Sequence, residues 1–197
     1  GVDLSAQPEY PFAFIRGNAL ELDFSGFDFV WASPKCQAHS TACHDTKRRA
    51  DHQDQIAPIR ERLLALTVPW VIENVPGAPL RNPVTLCGAM FGLGVVRHRM
   101  FETSWGAPQP PHPKHAGSLV TGEYVTVTGN GGVPKWTMTE REKRGLPRHV
   151  PGEMSLERWR AAMGIDWMSR KTLVQAIPPA YAELLGRSAL ELERQAA

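Results

Sequence analysis

The chain has 197 residues and 21.8 kDa, the size of a single α/β domain, and its 42% hydrophobic and 21% charged content excludes disordered and collagen-like classes. Its 22 basic and 20 acidic side chains leave a formal charge of +2, so any nucleic-acid reading has to rest on local residues. No apolar run approaches the roughly 20 residues of a membrane span, no signal-peptide pattern opens the chain, and Cys36, Cys43 and Cys87 fit free thiols in a reducing cytoplasm better than a disulfide framework.

In chain order, the first segment alternates short strands and turns, with strands expected at Val2 to Leu4, Phe12 to Arg16 and Asp28 to Ala32. The last of these, FDFVWA, is apolar enough for a strand buried on both faces, and Ser33-Pro34 terminates it. From Asp54 to Leu66 the spacing of Ile56, Ile59, Leu63 and Leu64 fits one helix face, with Asp51 or Asp54 near its start. Pro69 introduces WVIENV, a second buried strand. Strand, helix and strand at this spacing make a βαβ unit and predict a parallel sheet with a right-handed crossover. Residues 103–152 hold many prolines and the GNGG stretch from Gly129 to Gly132, and read as a loop-rich insertion. Two helices are expected after it: Ser155 to Met163, with Ser155 as N-cap, and Ala180 to Gln195, where Tyr181, Leu184, Leu185 and Leu192 recur.

Three groups of residues carry chemistry. SPKCQ, Ser33 to Gln37, follows a buried strand, the edge where ligand and catalytic groups gather in open α/β sheets. Cys36 there is either a small buried filler or a nucleophile. ENV, Glu73 to Val75, ends the next strand; Glu73 is either a solvated acid or, with its pKa raised by burial, a donor to a ring nitrogen. In RHRMF, Arg97 and Arg99 would share one face of an extended segment and suit an anion or a polar base edge, or simply pair with surface acids. Cys36, His39, Cys43 and His44 fall close together but lack the spacing of a zinc site, and no metal is expected.

The order of these pieces is the informative feature. SP-x-CQ, ENV, LCGAMFGL with R-x-R-x-F, a variable insertion, then SLERWRAAMGI and QAIPPAYAELLG together resemble the cytosine-C5 DNA methyltransferase family, with details closest to the compact DNA methylases of phages and actinobacteria. The resemblance covers nearly the whole chain. It implies a Rossmann-like S-adenosylmethionine-dependent α/β fold divided into a catalytic core (1–102), a target-recognition insertion (103–152) and C-terminal helices returning to the core (153–197).

By that resemblance Cys36 attacks C6 of a flipped cytosine, Glu73 contacts N3 and the exocyclic amine, Arg99 holds O2, and Arg97 supports the site. S-adenosylmethionine would meet Asp3 at its ribose, Asn18 and Ala19 at its adenine, Pro34 in the nucleophile motif, and Gln175, Ala176 and Ile177 from the C-terminal helix segment. Double-stranded DNA would meet Gln37, Lys135, Trp136 and Arg144, with Lys114, Arg141, Lys143 and Arg148 as further phosphate contacts. The resemblance implies a cytoplasmic monomer with no membrane partner.

Two departures stand out. Lys35 replaces the family's usual proline, losing rigidity while bringing an ammonium near the thiol. The family's glycine-rich turn after a first strand has no counterpart, since the sequence opens at Gly1 on GVDL, and the expectation is weak cofactor binding by the chain as it stands. Other classes stay open: an inactive DNA-binding relative of the family, and a zinc-stabilised interaction module.

Overall fold

The structure, a computed structural model, describes residues 1–40, 52–115, 118–129 and 133–196. It is a mixed α/β fold whose chain divides into two compact units: Gly1–Thr85, His98–Pro110 and Ser188–Ala197 form the first, Leu86–Arg97 and Pro111–Arg187 the second.

The first unit opens with strands β1 (Val2–Asp3) and β2 (Ile15–Arg16), paired in parallel with Val2 opposite Ile15. A four-stranded sheet follows, built from β3 (Val30–Ala32), β4 (Trp70–Asn74), β5 (Val84–Leu86) and β6 (Arg99–Thr103) in the order β3-β4-β6-β5. Strands β3 and β4 run parallel, as expected, with helix α1 (Ile56–Leu64) between them in sequence. Strand β6 runs antiparallel to β4, so the sheet is mixed rather than parallel throughout. Every residue of β4 is buried, which its uninterrupted apolar start foreshadows. FDFVWA is less enclosed than its composition predicts: Phe27 is 50% exposed and the paired strand begins only at Val30.

Ile59 and Leu63 of α1 pack into a core with Phe24, Val30, Trp70 and Ile72, and Ile56 is fully buried outside that cluster. Leu64, expected on the same face, is exposed. Its place on the buried stripe belongs to Arg60, one position after Ile59 and three before Leu63. Arg60 donates from Nε and Nη2 to the two carboxylate oxygens of Glu102 on β6, at 2.8 and 2.7 Å, and from Nη2 to the Pro79 carbonyl. The backbone N–H of Arg81 also donates to Glu102, so this buried charge pair is well supplied with partners.

The second unit holds a 3₁₀ turn (Gly88–Phe91), α2 (Lys135–Lys143), α3 (Leu156–Met163), α4 (Arg170–Leu173) and the first part of α5 (Pro179–Ala196). Its core joins Val95, Val125 and Val127 to Trp159, Met163, Ile165 and Leu173. Gly88 is required there, because a Cβ would run into the Val95 carbonyl. Ser155 caps α3 by accepting from the Arg158 N–H, and Gly164 closes it with φ 68°, the left-handed ending that glycine tolerates best. On α5, Tyr181, Leu185 and Ala189 are buried, while Leu192 is exposed. Residues 103–152 are not all loop, since α2 lies among them.

Candidate functional site

Because β3 and β4 are parallel neighbours, their C-terminal ends share one edge of the sheet. Past the end of β3 the chain runs through Ser33, Pro34 and Lys35 to Cys36, whose carbonyl accepts from the N–H groups of His39 and Ser40. That turn leaves Cys36 half-buried, with Lys35 and Gln37 exposed on either side. At the end of β4, Asn74 donates from Nδ2 to the Pro34 carbonyl at 3.0 Å and fastens the loop to the neighbouring strand. Asn74 is itself buried, so this bond satisfies a group that would be costly to leave unpaired.

Glu73 precedes Asn74, and Arg99 begins β6. Antiparallel pairing of Glu73 with Phe101 and of Asn74 with Met100 delivers Arg99 to the same edge. Its Nε lies 3.1 Å from Glu73 Oε1, with both side chains mostly shielded. The edge therefore groups a thiol loop, a buried carboxylate and a guanidinium. Such a set can add a nucleophile to a polar ring while donating to, and balancing charge on, the ring's other atoms.

Beyond the Cys36 turn, His39 Nε2 lies 3.1 Å from Asp54 Oδ1. Burial acts to raise the Asp54 pKa, but the Ile56 N–H, the bond to His39 and the Arg60 charge outweigh it and hold the carboxyl below its ordinary value. Asp54 thus fixes both the start of α1 and the far side of the Cys36 turn. Cys43, His44 and Asp51 lie outside the described residues, as do residues 130–132 of the GNGG stretch.

Arg97 has other partners than Arg99. The strand begins only at Arg99, so strand alternation does not govern Arg97, which belongs to the second unit. There its guanidinium donates to the carbonyls of Val127 and Val174 at 2.7 and 2.8 Å, and its own carbonyl accepts from the Tyr181 hydroxyl. It works as a buried brace on Val174, the residue before Gln175. Gln175 and Ala176 are held by backbone bonds to Thr172 and Leu173, and Ala176 and Ile177 are half-buried.

Asp3 ends β1, and Asn18 lies two residues past the end of the parallel β2, so both stand at one end of that pair. Asp3 is exposed and accepts the Ser5 N–H through Oδ1. Asn18 donates to Glu21 and accepts the Leu20 N–H, and the Ala19 carbonyl accepts from Arg62. An exposed carboxylate such as that of Asp3 suits vicinal hydroxyls, whereas the Asn18 amide is engaged with its own loop.

On α2, Lys135 and Trp136 are exposed, Trp136 at 60%, whereas Arg144 just past the helix pairs with Glu140 at 2.8 Å. Arg148 pairs with Glu142. Arg141 cannot meet a phosphate: it is 1% exposed and bound to Glu153 and to the carbonyls of Leu119, Val120 and Arg148. A hollow of about 710 Å³ in the second unit, lined by residues including Glu157, Arg160, Asp166 and Trp167, contains no residue expected at a site.

Comparison with protein-family profiles, curated proteins and solved structures finds no match for the chain. Among the described residues no helix is long and apolar enough to cross a membrane.

Proposed function

We propose that the chain is a DNA (cytosine-5)-methyltransferase with a Rossmann-like methyltransferase fold, acting on a cytosine turned out of the duplex. The single observation that carries the reading is the Glu73–Arg99 ion pair at the sheet edge to which Asn74 fastens the Cys36 loop. Support also comes from the motif order that led to these residues.

The Cys36 thiolate adds to C6 of the ring, forming a carbon–sulfur bond and moving the C5–C6 electron pair onto C5. Glu73, ionised beside Arg99 before the base enters, takes up a proton from solvent as it does, donates through it to N3 and accepts from the exocyclic amine with its other oxygen, which stabilises charge pushed into the ring. Arg99 donates to O2 and shares Glu73 with the base rather than holding it alone. S-adenosylmethionine, when bound, supplies the methyl group that C5 takes up, and Asp3 and Asn18 are the residues that would hold its nucleoside half. Water then takes the C5 proton and the Cys36 thiolate leaves as the C5–C6 double bond reforms, which returns the thiolate for the next addition. Flipping is needed because C6 is inaccessible within the stack. Lys135, Trp136 and Gln37 are the exposed groups proposed to meet the duplex, and Arg144 joins them at the cost of its pairing with Glu140.

The test is a covalent trap. Duplex DNA of mixed sequence carrying 5-fluorocytosine, with S-adenosylmethionine, should give a denaturation-resistant adduct, because fluorine cannot leave as the proton does. Cys36→Ala should abolish it. An adduct mapping to Cys43 or Cys87 removes the assignment, and DNA binding without any adduct favours an inactive DNA-binding protein.

A further inference from the structure

Cys87 opens the 3₁₀ turn, is fully buried, and by composition alone would be a small apolar filler. Its surroundings are not those of a filler. Its Sγ lies 3.4 Å from Nε2 of His115, and the His115 ring stands 5.2 Å, centroid to centroid, from that of His112. The ligand atoms of Cys87, His112 and His115 all lie within 4.8 Å of one another. All three residues belong to the second unit.

We propose that Cys87, His112 and His115 bind a zinc ion that holds the second unit together, a site separate in residues and in role from the one proposed for catalysis. The spacing is the first argument. A tetrahedral zinc with bonds of about 2.3 Å to sulfur and about 2.0–2.1 Å to nitrogen places those two ligand atoms about 3.5 Å apart. The Cys87–His115 separation of 3.4 Å already matches that edge, and the remaining separations, all within 4.8 Å, close onto it by turning the two exposed imidazoles.

The tautomer is the second argument. His112 Nδ1 lies 2.8 Å from the Pro113 carbonyl, which can only accept, so Nδ1 carries the hydrogen and Nε2 carries the lone pair a metal needs. This is the outer-shell bond that commonly orients a ligating imidazole. Donor chemistry is the third: one thiolate and two imidazoles suit zinc, and hard oxygen-seeking ions such as magnesium or calcium would find no oxygen ligand among them.

The role follows from chain order. The second unit is assembled from Leu86–Arg97 and Pro111–Arg187, and Cys87 lies in one stretch while His112 and His115 lie in the other. Residues 110–115, PPHPKH, form neither helix nor strand, so no backbone ladder fixes them. An ion bound from both stretches closes that gap as a cross-link, and its binding free energy becomes folding free energy.

The full chain, purified after growth with zinc, should carry about one zinc per molecule. His112→Ala and His115→Ala, both at exposed positions, should each weaken zinc affinity by at least about tenfold. Cobalt(II) exchanged into the site should give a thiolate charge-transfer band that Cys87→Ser loses and that the Cys36→Ser, Cys43→Ser double variant keeps. Because the two imidazole variants do not disturb the core, the site remains testable if Cys87→Ser fails to fold. Absence of stoichiometric zinc from the wild-type chain, retention of full zinc affinity by the imidazole variants, or loss of the band in the Cys36, Cys43 variant overturns the proposal.

Discussion

Arg141 and Arg144 lie three residues apart in a polar helix and its cap, and sequence assigns them the same role. Burial separates them. Arg141 is 1% exposed and its partner Glu153 is 6%, with the guanidinium also donating to three backbone carbonyls. Removing it leaves the buried Glu153 carboxylate with only the largely exposed His149, 3.1 Å away, as a charged partner, so Arg141→Ala should cost about 3–5 kcal/mol of stability. Arg144 faces water beside Glu140, and Arg144→Ala should cost less than about 1 kcal/mol. Denaturant midpoints of the two variants measure this, and comparable losses would contradict the burial argument. At the candidate site the residue-level signals were legible because each sits where an apolar run stops: Cys36 after FDFVWASP and Glu73 within WVIENV. Arg97 was not legible as a brace, since its partners are carbonyls of Val127 and Val174, which no side-chain pattern records.

Helices show where periodicity informs and where it fails. Helix α3 was readable in full, because Ser155, an apolar stripe and Gly164 mark its start, face and end. Helix α2 was not, because the positions it buries are Thr137 and Arg141, four apart, so its inner face carries no hydrophobic signal. Helix α1 lies between. Leu63 and Leu64 look alike in sequence, and the stripe that turns inward, Ile56, Ile59, Arg60 against Glu102, and Leu63, buries one and exposes the other. Leu63→Ala should therefore cost about 2–5 kcal/mol, and Leu64→Ala within about 0.5 kcal/mol. Equal destabilisation in urea would mean that α1 is rotated from its place here. The three proposed metal ligands were beyond any such reading, since Cys87 and His115 are 28 residues apart and have no regular element in common.

For the molecule as a whole, a formal charge of +2 gives little global electrostatic drive, so its response to pH is set by particular carboxyls. Asp54 is held low because the Ile56 N–H, His39 and Arg60 outweigh the effect of burial; Asp23 is held low by the hydroxyl and N–H of Ser25, and Glu123 by Thr121. A carboxyl whose pKa is lower folded than unfolded binds fewer protons in the folded state through that interval. Its contribution is complete above the unfolded value, about 3.9 for aspartate, and is lost as pH falls through the folded value. The denaturant midpoint should consequently be flat with respect to these groups above about pH 5 and decline below about pH 4. Asp54 is the group whose removal tests this best, because it links the start of α1 to the turn after Cys36 within one unit. Asp54→Asn keeps an acceptor for the Ile56 N–H but cannot titrate, so its midpoint should fall less steeply with acid than that of the wild type. If the two curves run parallel below pH 4, the Asp54 carboxylate is not stabilised by folding, and the His39–Asp54 contact does not hold the Cys36 turn to the helix.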